Sequence, residues 1–233
     1  MERRRRRWVR RAAIGMAGTL VVVAAAGFGL WQWWFPHYRP ELRAGERYGI
    51  DVASHQGRID WDRVAADDVD FAYVKATEGG DFTDATFERN RAGAEAAGLD
   101  HGAYHFFTLC TPGTVQARHF LAVDPAAGTL PPAVDLELAG NCRRRPSPAA
   151  VRRELDAFLA TVEDATDEEV VLYVGDDWEG AYPTRDHGDR ALWHRRILLR
   201  PDQPAWWIWQ FSGESEVAGI DGPVDLNVMA AVR

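Results

Sequence analysis

The chain has 233 residues, of which 46% are hydrophobic and 27% charged, a composition that fits one barrel- or sandwich-sized domain with a terminal appendage and excludes a disordered chain. Its net charge of −8 is unevenly spread: residues 1–11 hold seven Arg and one Glu, a local +6, and subtracting this leaves −14 on the remainder. So acidic a body excludes nucleic acid as the partner, because phosphate backbones are bound by basic faces, and it excludes simple adhesion to anionic polymers. Ten Trp is a high count; flat indole faces suit sugar rings, although most are expected in the core or at a membrane interface.

In chain order, arginines at 3–7, 10 and 11 precede an uncharged run over residues 12–35. As a helix this run spans about 36 Å, more than the roughly 30 Å of a hydrocarbon core. The basic tail at 1–11 then stays in the cytoplasm and the C-terminal side faces outward. Trp31, Trp33, Trp34 and Phe35 would form the outer aromatic belt. A cleaved signal peptide, ending near Ala24-Ala25-Ala26, is the alternative; the apolar run continues past that point, which favours a single-pass anchor. Residues 36–47 read as a stalk, and 48–233 as the domain, outside the cytoplasm on the periplasmic or wall side.

In an oxidising compartment the two cysteines, Cys110 and Cys142, read first as a disulfide. Neither lies in a Cys-x-x-Cys spacing, and His101 and His105 fall on strand-like sequence, so no metal and no cofactor is expected. Strands are expected at 48–52, 71–75, 102–107, 133–136, 170–174, 191–194, 207–211 and 224–228. Helices are expected at 61–66, 85–97, 114–121 and 148–163, the last opened by Ser147-Pro148. Alternation of this kind indicates an α/β fold, an irregular (β/α) barrel of the TIM-like class. An open flavodoxin-like sheet is the alternative.

In such a barrel the site lies at the carboxyl ends of the strands. Those ends carry Asp51, Lys75 with Glu78, His105, Asp135 with Glu137, Tyr173, Trp193, Gln210, and Asp225 with Asn227. Asp135 and Glu137 are two apart on a strand and face the same side. Like charges so close keep one carboxyl protonated, and an acid beside a carboxylate is what glycosidic bond cleavage requires. An Asp-x-Glu alone also occurs as a helix cap or surface ion pair; Asp51 and Asp225, brought together by closure of the barrel, weigh against that. Lys75 is the only lysine, an organiser of the site if paired with Glu78 or Asp51. His105 reads as a hydrogen-bonding wall residue, and Arg143-Arg144-Arg145 as a solvated loop.

From about residue 48 to 229 the sequence resembles the glycoside hydrolase family 25 muramidases, the Chalaropsis-type lysozymes. The matching blocks are Gly49-Ile50-Asp51-Val52 with Gln56-Gly57, then Val74-Lys75-Ala76-Thr77-Glu78-Gly79 with Asp84 and Asn90. Gly102-Ala103-Tyr104-His105-Phe106, Asp135-Leu136-Glu137, Leu192-Trp193, Trp209-Gln210 and Val224-Asp225-Leu226-Asn227 complete the pattern. The resemblance implies retaining hydrolysis, without metal, of the β-1,4 bond between N-acetylmuramic acid and N-acetylglucosamine in peptidoglycan. It implies Glu137 as acid/base, Asp135 as its assistant, and Asp51 and Asp225 as shaping and polarising groups. Lys75, Glu78, Tyr104, His105, Tyr173, Trp193 and Gln210 are expected around the sugar. Because Asp135 and Glu137 project from one side, the retaining step is expected to be substrate-assisted, with Asp51 or Asp225 as nucleophile the alternative. The sequence departs from the pattern in Asp51-Val52-Ala53-Ser54, which moves a hydroxyl by one place, and at Val174 and His194. A non-catalytic wall-binding protein and a chitinase-like glycosidase are the competing functions, and a monomer is expected.

Overall fold

The computed structural model describes residues 2–123, 125–184, 190–202 and 206–231. The chain divides into two units between Arg39 and Pro40. The first is a single helix, α1 (Glu2–His37). Its segment Gly18–His37 is long and apolar enough to cross a membrane, a property it shares with signal sequences. Trp31 stacks on Phe35 at 5.0 Å, one helical turn away. The side chains of the expected basic tail lie outside the described residues.

The second unit is built on β1 (Arg47–Val52), β2 (Phe71–Glu78), β3 (Phe82–Thr83), β4 (Asp100–Phe106), β5 (Ala133–Leu136), β6 (Val171–Val174), β7 (Leu192–Arg195), β8 (Ile208–Ser215) and β9 (Val224–Met229). Between them run α2 (Trp61–Ala65), α3 (Phe87–Ala96), α4 (Gly113–Leu121), α5 (Pro148–Thr166) and α6 (Asp176–Ala181). Around the sheet the order is β1-β2-β4-β5-β6-β7-β8-β9, and β9 pairs back onto β1, so eight strands close a barrel. The short β3 is a flap paired antiparallel to the end of β2.

Strands β1 to β8 of the barrel wall pair in parallel. The last strand does not. β9 runs antiparallel to both β8 and β1, an irregularity of the barrel, whereas Asp225 and Asn227 were expected at the carboxyl end of their strand. The cause is the connection: β8 extends to Ser215, leaving residues 216–223 before β9. A parallel crossover needs roughly a dozen residues or more, so the chain turns back instead, through Gly219 and Gly222 at φ 93° and 98°. Asp225 therefore reaches the mouth from the amino end of its strand, not the carboxyl end.

The barrel interior is filled by Phe71, Tyr73, Leu130, Ala133, Val171, Tyr173, Trp193, Ile208 and Met229. Gly49 makes room for one of these rings: a Cβ there would lie 2.3 Å from the Phe71 ring. Outside, α5 shows why its sequence is helical. Ser147 accepts a hydrogen bond from Ala150 N at 3.3 Å, Pro148 opens the first turn, and Val151, Leu155, Phe158, Leu159 and Val162 form one buried stripe. The stretch expected as a stalk divides: α1 continues to His37, while residues from Pro40 on pack against the domain. There Arg200 donates to Glu41 O at 2.8 Å and pairs with Glu46 at 2.6 Å.

Candidate active site

Closure of the barrel sets Asp51 of β1 directly across from Asp225 of β9. Their carboxyls are hydrogen-bonded to each other. Asn227 Nδ2 donates to Asp51 Oδ1 at 2.8 Å, and its own Oδ1 accepts from Trp193 Nε1 at 2.8 Å. Gln210 Nε2 donates to Asp225 Oδ1. Buried Trp193 stands between Tyr73 and Tyr173 at 4.9 and 5.1 Å. Trp193 and Gln210, expected as sugar contacts, thus form the floor beneath the acids.

Asp135 sits in β5 opposite Tyr173 of β6. Its Oδ1 is buried without a hydrogen-bond partner among the described residues. Glu137 stands one residue beyond the end of β5, half-buried. Lys75 comes from β2, pairs with Glu78 at 2.7 Å and holds its ammonium 4.9 Å over the Phe106 ring. Tyr104 and Tyr173 face the same acids. Burial, followed by the charges of Asp51 and Asp135 respectively, pushes their phenols well up.

All four carboxyls are pushed above their ordinary range, and burial is the first cause in each. For Asp51 the next cause is Asp225; for Asp135 it is Glu137, then Asp51. For Glu137, Arg195 pulls down while Asp177 and Asp225 push up; for Asp225, Gln210 and Arg195 pull down. Such a cluster resists full ionisation. It holds protons at pH values where isolated carboxyls have lost theirs, so acid and base forms coexist in one cleft.

One expected residue is elsewhere. His105 was grouped with the sugar-binding residues, but it faces outward, between the sheet and its helices. Its Nδ1 meets Thr77 Oγ1 at 2.8 Å, its Nε2 meets Gln116 Oε1 at 3.1 Å, and Phe158 of α5 stacks on it at 5.0 Å. Alternation along β4 is the reason: Tyr104 points in, so His105 points out. Burial pushes its pKa down to about 3, keeping it neutral. Conversely, Arg195 at the end of β7 acts on Glu137 and Asp225 without having been singled out in the sequence. Its signal was its place after Trp193 on the same strand, two residues on and so on the same face.

Asp84 steadies the mouth from behind. Its oxygens accept from Ser54 N at 2.8 Å and from Thr86 N and Oγ1 at 2.8 and 2.7 Å. Burial pushes its carboxyl up, and these bonds outweigh it, leaving the pKa lowered. The turn after β1, with His55 facing Asp225, is fixed in this way. The cysteines are bonded as expected: Cys110 and Cys142 form a disulfide, Cα atoms 6.1 Å apart, joining the loops after β4 and β5.

A closed barrel with buried carboxyls of raised pKa gathered at one mouth is the kind of site that glycoside hydrolysis uses. The comparisons with known proteins make the class particular. The family model described as glycosyl hydrolases family 25 matches residues 50–220, and the chain belongs to that family. It is 37% identical over 190 residues to the uncharacterised protein YegX of Escherichia coli K12, covering 78% of this chain and 68% of that one. It is 32% identical over 194 residues to lysozyme M1 of Streptomyces globisporus, covering 77% and 66%. Among solved structures, a family 25 glycosyl hydrolase from Bacillus anthracis superposes with a TM-score of 0.72 at 28% identity, covering 83% of this chain and 93% of that one.

Proposed function

We propose that the protein is a lysozyme that hydrolyses peptidoglycan strands between N-acetylmuramic acid and N-acetylglucosamine, with retention at the anomeric carbon. The pairing of Asp135 and Glu137 at the end of β5, inside an acidic mouth, carries the reading. The lysozymes among the relatives support the choice of polymer. Glu137 gives its proton to the glycosidic oxygen as that bond breaks. The substrate's own 2-acetamido oxygen closes on the anomeric carbon, and the oxazolinium formed carries the positive charge. Glu137, now a carboxylate, takes a proton from the water that opens the ring, which restores both acid and configuration.

Asp135 supplies what this path needs from the protein. Its Oδ1 is a buried acceptor without a donor, a costly arrangement in the free protein that an acetamido N–H would relieve. Its charge then opposes that of the oxazolinium. Asp51, Asp225, Asn227 and Gln210 form the wall that fixes the field around the sugar, and Lys75, Glu78, Tyr104 and Tyr173 line its approach. The protein is read as a monomer held at the membrane by α1, with the barrel on the outer side.

Digestion of purified peptidoglycan followed by reduction and separation of the fragments tests the activity. New reducing ends on N-acetylmuramic acid are expected, with chitin oligomers left intact. Reducing ends on N-acetylglucosamine, or cleavage of chitin alone, would overturn the reading.

A further inference from the structure

We infer that the peptide unit joining Glu137 to Leu138 is clamped at both ends by side chains, and that Asn141 and Asp177 are positioning residues for the acid. The inference rests on the assignment of Glu137 as proton donor.

The need for a mount follows from where β5 stops. The ladder reaches Leu136 opposite Val174, and Gly175 N donates one further bond to Leu136 O at 3.2 Å. Glu137 lies past that rung, so the sheet does not fix its backbone. Side chains take over. Asn141 Nδ2 donates to Glu137 O at 3.0 Å, and Asp177 Oδ2 accepts from Leu138 N at 3.0 Å. The carbonyl of residue 137 and the N–H of residue 138 belong to one rigid plane. Holding both ends sets the rotation of that plane, and with it the direction in which the Glu137 side chain leaves the backbone.

Both clamping residues are themselves held. Asn141 Nδ2 also donates to Phe107 O at 2.8 Å, and its Oδ1 accepts from Leu109 N and Cys142 N, each at 2.9 Å. Four hydrogen bonds thus tie this side chain between the loops after β4 and β5, next to the disulfide at Cys142. Asp177 Oδ1 accepts from Trp178 N at 2.8 Å. Trp178 is fully buried and meets Phe107 edge-on at 6.3 Å, so the two arms of the clamp meet again behind the acid. Gly175 makes the approach possible: a Cβ there would lie 2.8 Å from Asp177 Oδ1 and 3.6 Å from Glu137 Cβ.

Asp177 has an electrostatic effect that a mere fastening would lack. The charged and titratable groups around Glu137 are Asp135 of its own strand, Asp51 of β1, Lys75 of β2, Tyr173 of β6, Asp177 of α6, Arg195 of β7 and Asp225 of β9. After burial and the opposing Arg195, Asp177 is the first of the neighbouring anions that hold the Glu137 proton on.

The test separates position from charge. Asp177→Ala and Asn141→Ala are each expected to lower kcat roughly 10- to 100-fold, the scale of a misaligned reacting group, with KM within about twofold. Because both hold one peptide unit, the double variant should lose less than the product of the two. Gly175→Ala, which displaces the Asp177 carboxylate, should act in the same direction as Asp177→Ala. Asp177→Asn keeps one acceptor, for Leu138 N, at the cost of the bond from Trp178 N, and drops the charge, so kcat should return in part, above that of Asp177→Ala. Glu137 would then release its proton more readily, and the alkaline limb of the kcat/KM profile should move to lower pH. Clamp variants that melt earlier but keep wild-type kcat, or an Asp177→Asn profile that coincides with wild type, would overturn the inference. Glu137→Gln is the reference. If it stays active, the acid assignment falls and takes the clamp with it; if it is dead while the clamp variants are normal, the clamp alone is refuted.

Discussion

Glu137 has no side-chain hydrogen bond among the described residues, which suits a group that must hand its proton to a substrate. Glu137→Gln keeps the shape and removes the transferable proton. Turnover should fall at least about a hundredfold, the low end for a lost general acid, with no loss of thermal stability; near-normal release of muropeptides would end the assignment. Asp51 calls for the opposite kind of test. Its raised pKa means that the fold holds a proton there that the unfolded chain would give up. The associated stability is present below the ordinary carboxylate pKa and is lost as pH rises through the raised value. Asparagine imitates the protonated form permanently, accepting from Asn227 and donating to Asp225. Asp51→Asn should therefore raise Tm at pH 7 while activity drops. The gain should vanish near pH 4, where wild-type Asp51 is protonated anyway; calorimetry across that range showing a constant or negative difference would contradict the argument. At this scale the sequence was legible where period two applies. Asp135 with Glu137 could be placed on one side of a strand, and the same alternation, followed through β4, would have turned His105 outward. Asn141 and Asp177 carry no such signal, because their role lies in bonds from loop to backbone across 4 and 39 positions.

Element by element, the eight expected wall strands and four expected helices are present, 133–136 with the expected ends and the others with ends shifted, and the differences have physical causes. Direction of a strand leaves no trace in its hydrophobic pattern, so the reversal of β9 had to be sought in the length of its connection. β3 and α6 were not expected: two residues of strand and six of helix are too short to show a period. The disulfide was legible from compartment and number alone. It closes a separation of 32 residues that includes the whole of β5 and Glu137. On the chain-entropy model such a closure stabilises by about 3–4 kcal/mol. Replacing both cysteines by serine should lower the denaturation midpoint accordingly and steepen the transition, because the uncrosslinked denatured chain is more expanded. Thiols that titrate in the native, unreduced protein, or a midpoint indifferent to reduction, would refute the bond and its contribution.

At the scale of the molecule, the uneven charge and the two units belong to one reading. The strongly acidic remainder and the basic first residues suit a chain whose start stays on the cytoplasmic side while the domain is exported. The domain was expected from residue 48, and the second compact unit runs from Pro40. Residues 40–47 look like a linker because they are polar, and their attachment through Arg200 comes from 154 and 159 positions away, beyond what local pattern can report. Since Pro40–Arg233 forms its own unit, a protein truncated before Pro40 should remain in the supernatant and cleave soluble glycan fragments with the kcat of the full chain. The full chain should resist extraction by salt and alkaline carbonate, because release would expose Leu20, Val21, Val22, Val23, Phe28 and Leu30 to water at once, at about 1.5–3 kcal/mol for each large side chain. Its N-terminal sequence should begin upstream of residue 12. Recovery from the native host of a carbonate-soluble form starting near Gly27 would show that α1 is removed as a signal, and the anchored reading would fall while the hydrolase stood.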